Sequence, residues 1–180
     1  MVALRKSGAY SKARDRPFTR RSKKKSKSYI KTVPPQGIVK FNMGQIKMFE
    51  EGKLPFQLSM ITKERVQIRA NALEACRQFI NKKLENTFPG QYYFKIPPYP
   101  HHIQRENKML TGAGADRMQT GMQLSYGKTI ARAALLKKDD TIFFIAVQNK
   151  KADALSREFL NIIRSKLPCK TSIISEELKS

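Results

Sequence analysis

The chain has 180 residues and a mass of 20.7 kDa, enough for one compact domain with an appendage or for two very small domains. Its 40% apolar residues supply a core and exclude wholesale disorder, and no run approaches the ~18 consecutive apolar residues of a membrane span. Thirty-six Lys and Arg against fourteen Asp and Glu leave a net charge of +22, so the chain repels itself unless a polyanion neutralises it, and nucleic acid is the expected partner.

The charge is concentrated at the N-terminal end. Residues 1–32 hold twelve cations, Arg5, Lys6, Lys12, Arg14, Arg16, Arg20, Arg21, Lys23, Lys24, Lys25, Lys27 and Lys31, against the single Asp15. Half of the net charge therefore lies in under a fifth of the chain. This stretch is rich in Ser and poor in aliphatics, so alone it cannot bury enough surface to offset its ordering entropy. Tyr10, Phe18 and Tyr29 interrupt the cations, a pattern suited to an arm laid on RNA, with charge for affinity and rings for stacking. Pro34-Pro35 closes the arm, which gives two regions: a basic arm over 1–35 and a globular domain over 36–180.

Val39, Phe41 and Met43 alternate with polar residues and predict a strand, followed by a polar turn at Glu51-Gly52. Residues 55–61 alternate again, with Phe56, Leu58 and Met60 on one face. Thr62 is the expected N-cap of a helix over about 64–86. Its apolar stripe is Ala72, Leu73, Cys76, Phe79, Ile80 and Leu84, opposite Glu74, Gln78, Asn81, Lys82 and Glu85. Cys76 on that stripe reads as a small core residue rather than a nucleophile. Phe88-Pro89-Gly90 stops the helix, and Tyr92, Phe94 and Ile96 mark a third strand ended by Pro97-Pro98.

Residues 129–136 and 141–147 read as strands across a Lys137-Lys138-Asp139-Asp140 turn, the second so apolar that a central place in its sheet is expected. A second amphipathic helix over about 150–166 buries Ala152, Leu155, Phe159, Ile162 and Ile163. Pro168 ends it, and Thr171 to Ser175 form a last strand. The predicted fold is α+β: a two-layer sandwich with an antiparallel or mixed sheet of about six strands and two helices on one face.

Little in the chain suits catalysis. His101 and His102 are the only histidines, and as neighbours on an extended chain they point to opposite sides, which suits hydrogen bonding or stacking better than a shared metal. Thr111 to Arg117 contains Gly112 and Gly114 but lacks both the dinucleotide pattern and the Gly-Lys-Ser/Thr of a phosphate loop. Cys76 and Cys169 cannot build a disulfide framework or a four-ligand zinc site. With no apolar leader at Met1 to Lys6, a cytosolic protein without cofactors is expected.

Residues 104–128 are the unusual feature. They carry four of the nine glycines, three of the seven methionines, and the cations Arg105, Lys108, Arg117 and Lys128. At 25 residues the stretch exceeds the ~12–15 beyond which structureless loops are uncommon, and glycines let a backbone approach RNA closely.

The run from Pro100 through His101, His102, Arg105, Asn107 and Lys108 to Thr111-Gly112-Ala113-Gly114-Ala115-Asp116-Arg117 and Gln119-Thr120-Gly121-Met122 closely resembles one family. It is the universal large-subunit ribosomal protein family called L-sixteen in bacteria and L-ten-e in archaea and eukaryotes, in its archaeal form. Arg16 to Arg20, Asn71 to Arg77 and Lys166-Leu167-Pro168 are similar to the same family, in the same order, across most of the chain. The resemblance implies an α+β sandwich and a non-catalytic role, one copy per ribosome, with large-subunit rRNA, tRNA and neighbouring ribosomal proteins as partners and no membrane. It implies an arm threaded between RNA helices, carrying the twelve cations and Tyr29, with His101 and His102 also at rRNA near the aminoacyl-tRNA site. It further implies a loop reaching toward the peptidyl-transferase centre and peptidyl-site tRNA, here Arg105, Asn107, Lys108, Gly112, Gly114, Asp116, Arg117, Gln119, Gly121 and Lys128. Gln123 stands where the family often has an arginine, one cation fewer, and Ser7 to Tyr10 match less well. The rival from composition alone is a non-ribosomal nucleic-acid compaction protein, which shares the charge but needs no such loop.

Overall fold

The computed structural model describes residue 30 and residues 32–107 and 127–178. Its elements are β1 (Asn42–Gly44), α1 (Ile46–Glu50), β2 (Phe56–Thr62), β3 (Val66–Arg69), α2 (Ala70–Thr87), β4 (Tyr92–Lys95), β5 (His102–Glu106), β6 (Lys128–Leu136), β7 (Thr141–Val147), α3 (Lys150–Ile163) and β8 (Thr171–Glu177). The class is α+β, as expected. The strands divide into two antiparallel sheets, five in the order β1-β4-β7-β2-β8 and three in the order β3-β6-β5, rather than forming one sheet of about six.

Strand β7 is the middle strand of the larger sheet, where its apolar run on both faces belongs. One face of that sheet carries Leu58, Met60, Tyr92, Phe94, Phe143 and Ile145. It shares the main core with Leu73, Cys76, Ile80 and Leu84 of α2 and with Phe159, Leu160 and Ile163 of α3. The two long helices thus cover one side, as the periodicity predicts. The short α1 belongs to the other side. There Phe49 stacks on Tyr93 at 4.7 Å and meets Phe144 edge-on at 5.6 Å, over Leu54 and Ala146. Five residues are too few for a helical period to show in the sequence, so α1 was not foreseen.

Three boundaries differ from expectation for identifiable reasons. Val66 to Arg69 are not the first turn of a helix but a strand paired with Ala133 to Leu136. Tertiary pairing overrides the local helical pattern. Thr62 consequently caps nothing. Its hydroxyl donates to the Glu64 carbonyl at 2.8 Å and accepts from the Glu64 N–H at 3.3 Å, which shapes the β2–β3 turn. The Lys137–Asp140 turn joins strands of different sheets and is tied to the end of β2: the Asp139 N–H donates to the Thr62 carbonyl at 2.8 Å.

On α3 the buried stripe is Ala152, Asp153, Ser156, Phe159, Leu160 and Ile163, whereas Ile162 stays 53% exposed and Leu155 is half-buried. The i, i+3, i+4 spacing through 152, 156, 159, 160 and 163 fixes one face, and Ile162 sits off it. Asp153, in the first turn where a negative charge suits the helix dipole, accepts from Arg157 and from the Ser175 hydroxyl of β8, each at 3.1 Å. At the other edge Gly44 has φ +85°, and a Cβ there would collide with the Tyr92 carbonyl, so only glycine lets β1 lie against β4.

Phe143→Ala is expected to cost about 3–5 kcal/mol in urea unfolding, because the ring is fully buried between sheet and helices. Ile162→Ala is expected to stay within about 0.5 kcal/mol. A large loss at Ile162 would contradict the helix orientation.

Candidate nucleic-acid interface

The strands β5 and β6 run antiparallel from His102 opposite Ala133 to Glu106 opposite Lys128. The glycine-rich excursion therefore leaves and returns at one end of the small sheet, and residues 104–106 and 128 at its ends are strand. A register shift between Gln104 and Arg105 twists the hairpin just before the exit. Gly127 closes the root with φ +82°, and a Cβ there would sit 3.0 Å from the Glu106 carbonyl, so the crossing is too tight for a side chain.

Strand β6 also receives the end of the arm. The Thr129 hydroxyl donates to the Thr32 carbonyl at 2.9 Å, and Arg132 Nε donates to the Pro34 carbonyl at 2.7 Å. One strand thus roots both basic segments. Arg5, Lys6, Lys12, Arg14, Arg16, Arg20, Arg21, Lys23, Lys24, Lys25, Lys27, Tyr29 and Lys31 lie outside the described residues, as do Lys108, Gly112, Gly114, Asp116, Arg117, Gln119 and Gly121.

Of the remaining candidates, Asn107 and Lys128 are exposed and Arg105 is half-buried, all at the excursion's root. The adjacent histidines diverge as an extended chain requires. His101 is exposed, with its ring 4.5 Å from that of Tyr99. His102 is only 5% exposed. In register, His102 and Arg69 both lie opposite Ala133, and Gln104 lies opposite Ala131. Gln104 Nε2 donates to Gln67 Oε1 at 3.4 Å across the sheet. Small alanines on β6 leave room for this buried polar row of Gln67, Arg69, His102 and Gln104. Sequence reasoning missed it by taking 66–69 as helix, although Val66-Gln67-Ile68-Arg69 alternates apolar and polar residues.

Nothing in this arrangement resembles a reaction centre. Burial pushes the Cys76 thiol up to about 11, keeping it protonated and inert, and burial likewise raises the Cys169 thiol. An open cavity of about 280 Å³ on the α1 side is lined by Phe49, Tyr93, Lys95, Pro97, Thr141 and Phe144, a set without a nucleophile–base pair.

The pattern of the family described as ribosomal protein L16p/L10e matches residues 16–174. The chain belongs to this family. It is similar to the large ribosomal subunit protein uL16 of Sulfolobus acidocaldarius, 40% identical over 175 residues, 96% of this chain and 93% of the relative. It is likewise similar to those of Staphylothermus marinus, 39% identical over 99% of this chain and 97% of the relative, and Nanoarchaeum equitans, 37% identical over all of this chain and 97% of the relative. Membership of the L16p/L10e family makes it a structural, non-catalytic ribosomal protein. Among the described residues no helix is long and apolar enough to cross a membrane.

Arg132→Ala removes one of the two hydrogen bonds that hold the arm's root in this L16p/L10e member. Limited proteolysis around residues 32–35 is expected to speed up several-fold, while the global unfolding free energy falls by no more than about 1–3 kcal/mol. Unchanged proteolysis would show that Arg132 does not hold the root.

Proposed function

We propose that the chain is a constituent of the large ribosomal subunit in the cytoplasm, one copy per ribosome, bound to large-subunit rRNA near the aminoacyl-tRNA site. Residues 1–35 act as an electrostatic anchor threaded into RNA, and residues 36–180 fix the orientation by shape and phosphate contacts. The excursion rooted at Arg105 and Lys128 extends toward the peptidyl-transferase centre and the peptidyl-site tRNA, where it helps position tRNA. Neighbouring ribosomal proteins and tRNA are the further partners.

The observation that carries this reading is the common root on β6. The segment holding half of the net charge is tied at Thr32 and Pro34 to the strand whose first residue closes the excursion. Neutralising the arm's charge on RNA therefore fixes the place from which the excursion projects. The relatives' name, large ribosomal subunit protein uL16, supports the same particle. His101, exposed on the approach to β5, and the buried His102 beside it belong to the rRNA-binding side of the domain.

If about six arm cations neutralise phosphates, RNA affinity is expected to fall with salt at a log–log slope of roughly −4 to −5. Deleting residues 1–32 is expected to flatten that slope sharply while circular dichroism of the domain is unchanged. An unaltered slope would refute the anchoring role. Removing residues 108–122 is expected to leave subunit incorporation possible but to impair tRNA accommodation. Normal peptide synthesis by such particles would refute the role of the excursion.

A further inference from the structure

Just before β5 the surface carries three rings in series. Phe41 is half-buried and packs against the main core, and its carbonyl accepts from the Ile96 N–H at 2.8 Å. Tyr99 lies over it with ring centroids 5.4 Å apart and planes 24° from parallel. His101 follows at 4.5 Å from Tyr99, tilted by 46°, and its N–H donates to the Tyr99 carbonyl at 3.0 Å. Pro97, Pro98 and Pro100 stiffen the intervening chain. The rings are therefore held in place by core packing, by backbone hydrogen bonds and by fixed φ angles, before any partner arrives.

They are held facing outward. Tyr99 is 40% exposed and His101 is exposed, so apolar ring surface is presented to solvent at the head of the excursion's first strand. The charge around the series is positive. Exposed Lys40 directly precedes Phe41. Glu74, whose carboxylate comes within 3.4 Å of the Val39 N–H, is already engaged by Arg77 at 2.6 and 2.7 Å. That guanidinium holds the Glu74 carboxyl below the usual carboxylate range. That carboxylate is thus compensated from within the fold.

We propose that Phe41, Tyr99 and His101 form a seat on which one unpaired RNA base stacks, with Lys40 receiving a flanking phosphate. The proposal rests on the RNA-binding reading above and adds a site to it. Aromatic faces accept any base, because every base has a π-face, and adjacent cations follow the backbone. Such a seat selects a looped-out nucleotide over a paired one, since a base in a duplex is already stacked on both sides. A ring series ordered in advance binds without a further ordering cost.

The chain has no tryptophan, so Tyr99→Trp in the full-length protein creates a single tryptophan within the series, excited selectively over the tyrosines. Two probes suffice: an RNA hairpin with one bulged adenine, and the same stem fully paired. The tryptophan emission is expected to be quenched by the bulged hairpin and not by the paired stem. Tyr99→Ala is expected to weaken binding of the bulged hairpin about tenfold and leave the paired stem unchanged, with Tyr99→Phe close to the unaltered protein. Circular dichroism of each variant confirms that exposed Tyr99 can be replaced without unfolding. Binding of both RNAs with equal affinity and no quenching overturns the stacking seat and leaves the RNA reading intact. Failure of the unaltered chain to bind either RNA overturns both.

Discussion

The pairing of β6 with strands on both its sides is the constraint on which the rest of the molecule depends. Its partner β3 joins it to the core under α2, through Val66 opposite Leu136 and Ile68 opposite Ala134. Its partner β5 sets the register in which the chain departs at Glu106 and returns at Lys128. Near its start, Thr129 and Arg132 take hold of the end of the arm. A one-residue slip of β6 would turn Ala134 and Leu136 out of the core and move Arg132 away from Pro34. Apolar burial at one end of this strand therefore fixes where positive charge is presented at the other.

A chain with a net charge of +22 must still fold, and the distribution of its few acids shows how. Several described carboxylates are engaged in holding elements together rather than in balancing the surface. Glu74 grips Arg77 along α2, and Asp153 joins α3 to β8 through Ser175. Glu85 accepts from the Tyr92 hydroxyl at 2.6 Å, and Asp140 accepts the Lys137 N–H at 2.7 Å in the turn before β7. Tyr92 is held protonated by burial and by that carboxylate. Exposed ion pairs contribute only about 0–1 kcal/mol each, so stability rests on the apolar layer between the five-stranded sheet and the two long helices. The cations of Lys40, Lys95 and Lys128 remain at the surface for a partner.

How much of this was legible in the sequence follows from the length of each signal. The two long helices, the strand at 55–61 and the central place of β7 were readable because their apolar periods persist over seven or more residues. Among the shorter elements β4 was legible from its alternation between Gly90 and Pro97, whereas α1, β3 and β5 are set by what they pack against, which a local window does not contain. The division into two sheets was hidden for the same reason. The turn at 137–140 looks like a hairpin, but it joins strands of different sheets and is also bonded to Thr62 at the end of β2. For the candidate site, composition and the family resemblance located the arm and the excursion, yet neither could separate His101 from His102. Only the strand at β5 shows that one faces solvent and the other the interior.

That separation shows how a ribosomal surface of this kind is stiffened. His102, Gln104, Gln67 and Arg69 form a buried polar row on the sheet that roots both basic segments. Buried polar groups demand partners, and the Gln104–Gln67 hydrogen bond across β6 ties the two outer strands of that sheet to one alignment. One residue along the backbone, His101 and Tyr99 stand at the surface on a chain stiffened by prolines. The same peptide therefore carries an interior contact that sets the strand's position and an exterior ring whose place follows from it. An apolar replacement of His102 would keep the burial but loosen the register, and the outward rings and the root of the excursion would lose their fixed orientation together. The placement of the exposed rings thus originates one side chain deeper, in the buried polar row of the same sheet.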